Sequence, residues 1–161
     1  MTDALVLGPM LRHVDQTTAA VWVETSRAAQ VAVRLTGEAE PAEPRTWHEP
    51  TFAVHGHHYA LVELDGLRPD ERTTYEVIVD DEVCWPLSDS RFPASIIHTP
   101  APDAPLRMAF GSCRTSVPHD AVHHLSHGVD ALRAYALAIA DGQPGPLGHA
   151  PDLLMLLGDQ V

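Results

Sequence analysis

Between Thr99 and Pro105 the chain reads Thr-Pro-Ala-Pro-Asp-Ala-Pro, three prolines in seven residues. Proline locks φ at about −65° and lacks an amide proton, so this stretch continues neither a helix nor a sheet interior and reads as a short, stiff linker. The hydrophobic pattern changes across it. Upstream, residues 1–98 carry the two-residue period of strands; downstream, residues 106–161 run apolar strand, helical period, apolar strand.

In the first part, Ala19 to Val23 and Gln30 to Leu35 are apolar or alternating, separated by the polar stretch Glu24 to Arg27. Tyr59 to Leu64 and Thr74 to Val79 follow, split by the turn residues of Asp65-Gly66-Leu67-Arg68-Pro69-Asp70. Ala60, Val62 and Leu64 share one face of their strand, and Tyr75, Val77 and Val79 one face of theirs. Alternation alone leaves open whether Trp22 or the pair Val21/Val23 faces the core. Strands at this spacing without helices between them point to a β-sandwich.

In the second part, Leu106 to Phe110 reads as a buried strand ending at Gly111-Ser112-Cys113-Arg114. A His-rich loop from Thr115 to Gly128 follows, then Val129, Leu132, Ala136 and Ile139 at helical spacing, with Gly142 and Pro144 as the stop. Leu153 to Leu157 is apolar on both faces, as a central parallel strand would be, and ends in Gly158-Asp159. Strand, crossover helix and strand form the opening unit of an α/β domain. Two strands and one helix leave the faces of such a sheet uncovered, so the chain is expected to stop inside its second domain.

Charge narrows the function. With 10 Lys+Arg against 22 Asp+Glu the net charge is −12, and every one of those cations is Arg. Such a chain offers no basic stripe for a nucleic-acid backbone, which argues against general nucleic-acid binding. It does not exclude small phosphate esters, because a bound metal supplies a local positive field. The longest apolar runs, such as Leu153 to Leu157, fall far short of the roughly 20 residues of a membrane span, so no membrane partner is expected. Met1-Thr2-Asp3 has no basic start of a signal peptide, and Gly8-Pro9 interrupts the apolar stretch, which points to a cytoplasmic location. Two cysteines, Cys84 and Cys113, are too few for a disulfide scaffold.

Ligands of open α/β sheets gather beyond the carboxyl ends of the strands. Cys113 follows the first parallel strand and Asp159 the second, so two metal-ligating residue types are delivered to that end. Adjacent strands lie about 4.8 Å apart, and paired metals in phosphoesterases about 3.5–4 Å apart. Ligands on neighbouring strand ends can therefore hold one ion or bridge two. The bland alternative makes Asp159 a turn cap and Cys113 a small filler.

Phe110-Gly111-Ser112-Cys113-Arg114, followed by Pro151-Asp152 and the apolar run into Gly158-Asp159-Gln160-Val161, resembles the PhoD-like (alkaline phosphatase D type) metallophosphatases. Trp85-Pro86 and Phe92-Pro93-Ala94-Ser95-Ile96-Ile97-His98-Thr99-Pro100 are similar to the segment joining that family's β-domain to its catalytic domain. Leu67-Arg68-Pro69 through Tyr75 looks like the corner-tyrosine region of fibronectin type III sandwiches, in which the tyrosine hydroxyl returns to backbone near the preceding turn. The matches run in order over essentially the whole chain.

The resemblance implies a fibronectin type III-like β-sandwich (1–98), the linker (99–105) and an incomplete α/β (β-α-β) start of a calcineurin-like metallophosphatase domain (106–161). It implies a thiolate metal ligand at Cys113 and a bridging carboxylate at Asp159, with a family tyrosine falling just past Val161. It implies iron and calcium, with manganese or zinc in relatives, and hydrolysis of a phosphate-ester small molecule by metal-activated water. Arg114, beside the thiolate, becomes a candidate phosphate contact, with a surface ion pair as the alternative. The remaining ligands would lie further along, so the 161-residue chain itself is expected to be inactive. A stand-alone β-sandwich binding module is the rival reading.

Other signals read more plainly. In His55-Gly56-His57-His58, His55 and His57 would share one strand face, but no carboxylate or cysteine stands nearby in sequence, and hairpin packing is the simpler reading. His119, His123 and His127 fall four apart, yet Pro118 and Gly128 flank them, so an exposed loop is expected. Cys84 reads as a buried hydrophobe, and Asp80-Asp81-Glu82 as an exposed hairpin turn rather than a calcium loop.

Overall fold

The computed structural model describes residues 4–37, 44–90, 92–114, 117–142 and 151–159. Pro144, Met1 to Asp3, Thr115, Gln160 and Val161 lie outside them. The chain divides into two compact units, Met1–Ala104 and Pro105–Val161.

The first unit is a two-sheet antiparallel sandwich. One sheet has the order β1-β2-β6-β5, from β1 (Leu5–Val14), β2 (Ala19–Thr25), β5 (Phe52–Val54) and β6 (His57–Leu64). The other has β4-β3-β7-β8, from β3 (Gln30–Thr36), β4 (Thr46–Pro50), β7 (Arg72–Val79) and β8 (Glu82–Trp85), with β9 (Ile96–His98) also paired to β7. Val21, Val23, Ala60, Val62 and Leu64 from the first sheet meet Val31, Val33, Leu35, Tyr75, Val77 and Val79 from the second in one buried core. The period-two pattern thus buries one face of each sheet. Val21 and Val23 face inward; Trp22 faces outward, stacked on Tyr59 with ring centroids 5.6 Å apart.

The outer faces are stitched by cross-strand pairs. Arg34 pairs with Glu76, and the hydroxyls of Thr36 and Thr74 are 2.8 Å apart at directly opposed positions. Turns follow the residues that allow positive φ. Asp80 (φ 47°) and Asp81 (φ 70°) close the β7–β8 hairpin, as expected of the acidic cluster. His55 (φ 50°) and Gly56 (φ 84°) close the β5–β6 hairpin, so His55 and His57 do not share a strand face. In β1, Gly8 (φ 94°) sits where the register with β2 shifts, and a Cβ there would stand 2.8 Å from the Trp22 carbonyl oxygen. Only glycine fits that approach.

Two connecting segments are more tightly held than their composition implies. Thr99, placed in the linker by its prolines, is buried: its hydroxyl donates to the Arg68 carbonyl and accepts from the Glu71 amide at 3.0 Å. It closes the turn ahead of β7, so the sandwich extends one residue further than 98. Tyr75 does not complete a tyrosine corner on that turn. Burial pushes its phenol up, partly offset by a hydrogen bond with the Ser95 side chain. Ser95 also accepts from Trp85 Nε1 at 2.9 Å, and its carbonyl accepts from the Tyr75 amide at 3.1 Å. Trp85 and Ser95 therefore form a seam on β7. Cys84 is half-buried against the core, and burial pushes its thiol up.

The second unit contains β10 (Met108–Gly111), α1 (Ala121–His127), α2 (Ala131–Ala140) and β11 (Leu153–Leu156). β10 and β11 pair in parallel, Met108 opposite Leu153 through Gly111 opposite Leu156. Arg107 and Asp152 lock the start of the pair: Arg107 N and Nε each donate to Asp152 Oδ2 at 3.0 Å, and Nη2 to Oδ1 at 3.1 Å. Part of the expected His-rich loop is helix α1, because the Asp120 carboxylate caps the His123 amide at 2.9 Å. α2 starts two residues after Val129, where Asp130 caps the Arg133 amide. Leu153 to Leu157 are 39–57% exposed. Among the described residues no helix is long and apolar enough to cross a membrane.

Candidate metal centre

β10 and β11 run side by side in the same direction, so whatever follows each strand emerges at the same edge. The ladder continues past both ends: Leu157 N donates to Gly111 O at 2.9 Å, and Cys113 N to Gly158 O at 3.2 Å. Ser112 Oγ also donates to Gly158 O at 3.2 Å. These bonds hold the two post-strand turns in register. Cys113 (φ 58°), Gly158 (φ 119°) and Asp159 (φ 50°) all adopt positive φ, which turns the side chains off the strand axes. Positive φ is costly for a residue with a Cβ, least so for Asp, and such positions cluster at functional sites.

The outcome is a thiol and a carboxylate in contact, with Cys113 Sγ 3.4 Å from Asp159 Oδ2, the thiol donating. Ser112 Oγ lies 3.4 Å from the same sulfur. Cys113 is exposed and free. Loss of the thiol proton would convert this bond into two anionic donors facing one point, as metal binding requires. A soft thiolate beside a hard carboxylate suits a borderline or trivalent metal better than magnesium. Among the described residues no group of three or more His, Cys, Asp and Glu side chains is placed to hold an ion. The pair fits two positions of a metal's coordination shell.

Arg114 does not project alone. Its Nε and Nη2 donate to Asp130 Oδ2 at 3.2 and 3.0 Å, and the Asp130 side chain is only 5% exposed. The Arg114 guanidinium, with the Arg133 amide next, holds the Asp130 carboxyl below its ordinary range. The ion-pair alternative for Arg114 is therefore realised, and the guanidinium is fixed on Asp130. Asp130, for which the sequence raised no expectation, is the residue that fixes it.

The histidines divide. His119, His124 and His127 line a cavity of about 370 Å³ that Cys113 and Arg114 also border. His123 turns to Asp120, Nδ1 to Oδ1 2.7 Å, and its ring lies 6.4 Å from that of His127. In the sandwich, His57 Nδ1 is 2.6 Å from Oε1 of the buried Glu24, and its ring stacks on Tyr59 at 6.0 Å. Sequence neighbours alone did not reveal Glu24, which reaches His57 from the adjacent strand.

The chain belongs to the family described as a domain of unknown function, DUF7800, whose model matches residues 2–97, the antiparallel sandwich. Among solved structures it is similar to one described as "Structure of PhoD", at 20% identity and a TM-score of 0.47. That alignment covers 63% of this chain, which spans 21% of the PhoD chain. No curated protein matches it.

Proposed function

We propose that this chain is part of a metal-dependent phosphoric ester hydrolase of the PhoD-like type, with Cys113 and Asp159 as two of its metal ligands. One observation carries the reading: the 3.4 Å contact of Cys113 Sγ with Asp159 Oδ2 beyond adjacent parallel strands. The sequence resemblance around Phe110–Arg114 and Pro151–Asp159 supplies the reaction class.

A metal held here would act as a Lewis acid on a phosphoryl oxygen and acidify a water molecule. The chain's own residues do the rest. Cys113 and Asp159 give up one shared proton and bind. Ser112, whose hydroxyl donates to the Gly158 carbonyl, lies 3.4 Å from the sulfur and ties the two turns together. Arg114, braced by Asp130, is the candidate phosphate contact. Iron with calcium is the proposed metal pair, manganese or zinc the alternatives, and a small phosphate ester the substrate. Beside these two, further ligands would complete the shell.

X-ray absorption at the zinc edge tests the ligand assignment. The loaded chain should show one sulfur neighbour at about 2.3 Å, lost in Cys113→Ser. A shell of nitrogen and oxygen alone in the unsubstituted chain would overturn it.

A further inference from the structure

Helix α1 carries His123 and His127 at i and i+4, the spacing that puts two side chains on one helix face. Their ring centroids lie 6.4 Å apart with the planes inclined by 30°. Each ring has one nitrogen already engaged. His123 Nδ1 stands 2.7 Å from Asp120 Oδ1, which also accepts from the His123 amide at 2.9 Å. The amide bond first and the ring bond second hold the Asp120 carboxyl below its ordinary range. An ionised carboxylate only accepts, so the proton of that ring sits on Nδ1. His127 Nδ1 is 2.8 Å from Ser126 Oγ. The single proton of that hydroxyl points to the Val122 and His123 carbonyls, each 3.2 Å away, so the oxygen accepts from His127 Nδ1. Both imidazoles are thus held as the same tautomer, which leaves both Nε2 lone pairs for a further partner.

Metal-ligating histidines are set in this way, one ring nitrogen donating to an oxygen behind it and the other binding the ion. We propose that His123 and His127 chelate one divalent ion of the zinc, nickel or copper class through their Nε2 atoms, and that the ion clamps α1. With metal–nitrogen bonds of about 2.0–2.1 Å, two imidazoles on one ion stand with centroids about 5–6.5 Å apart. The 6.4 Å separation lies at the wide end, a small side-chain rotation from a tetrahedral bite. Imidazole nitrogen selects these ions over magnesium and calcium, and a chain of net charge −12 draws cations. Among the described residues no third His, Cys, Asp or Glu joins the pair, so water or another exchangeable ligand takes the other positions. The effect on the fold is local. α1 has seven residues and no buried side chain, and a helix that short gains little from its own hydrogen bonds. A chelate across its last turn supplies what burial does not. The site uses neither Cys113 nor Asp159, contains no sulfur, and is silent in thiolate absorption.

Long-range nitrogen–proton spectra of the histidine rings test this on the whole 161-residue chain titrated with zinc(II) at about pH 8, where imidazole is ordinarily neutral. Nε2 of His123 and Nε2 of His127 should shift together along one binding curve, and amide exchange across α1 should slow. Both effects should survive Cys113→Ala. His123→Ala should remove the His127 shift over the same zinc range. Asp120→Asn keeps a capping oxygen for the His123 amide but takes the carboxylate from behind the ring. It should weaken zinc about tenfold or more and leave the zinc-free exchange of α1 unchanged. Zinc shifts confined to other histidines, a His127 shift that persists in His123→Ala, or exchange in α1 indifferent to zinc would overturn the inference. Shifts lost in Cys113→Ala would overturn it too, because the pair would then serve the Cys113 centre.

Discussion

Asp15 shows how much a single exposed side chain can organise. Its Oδ1 accepts from the amides of Thr17 and Thr18 at 2.8 and 2.7 Å, and its Oδ2 from the Thr18 hydroxyl at 2.8 Å, closing the turn between β1 and β2. Those amide donors lower its carboxyl to about 2. The folded value lies below the unfolded one, so the stabilising effect is complete above the usual carboxylate range and disappears as pH falls through about 2. Urea titrations should find Asp15→Ala less stable than the parent at pH 7, with the gap closing as pH falls from 4 towards 2. A gap that widened on acidification would contradict the assignment. Cys113 and Asp159 belong to the same scale: sequence reading placed both at strand ends, whereas their positive φ and 3.4 Å contact depend on two turns that have no periodic signature.

Among elements, the sandwich strands with clean alternation were legible and the irregular ones were not. β6 and β7 carry their buried residues at every second position, so Ala60, Val62 and Leu64 could be placed on one face from the sequence; β2 and β3 are buried almost throughout. β1 gave no such signal, because the register shifts around Gly8 break the period. α1 was hidden between Pro118 and Gly128, its start decided by the Asp120 cap rather than by an apolar stripe. Leu64→Ala should cost about 2–5 kcal/mol in chemical denaturation, and Leu61→Ala, one face over and partly exposed, below about 1 kcal/mol. Similar costs for both would mean the inward face is misassigned. In the second unit, Asp152→Ala should speed amide exchange in β10 and β11 and leave β2 and β6 unchanged, since the Arg107–Asp152 bonds fasten the beginning of the parallel pair. Unchanged exchange in β11 would show that the ladder holds without them.

For the whole molecule, the change of hydrophobic period between residues 98 and 106 marked where an antiparallel sandwich gives way to a parallel pair, and the structure divides at Ala104 and Pro105. The family match, residues 2–97, covers the sandwich, while the thiol–carboxylate pair lies beyond it. The proposed metal ligands therefore lie outside the matched domain. What sequence could not supply there was three-dimensional: Asp130 paired with Arg114, and the contact of Cys113 with Asp159, neither of which a local pattern encodes. The most direct test of the central claim is a cobalt(II) titration of the intact chain followed by thiolate charge-transfer absorption, repeated with Cys113→Ala and Asp159→Asn. A single saturating site is predicted, with the absorption abolished by the first substitution and the affinity lowered at least about tenfold by the second. Thiolate absorption that persists in Cys113→Ala, or an affinity indifferent to Asp159→Asn, would contradict the claim that these two side chains grip one metal.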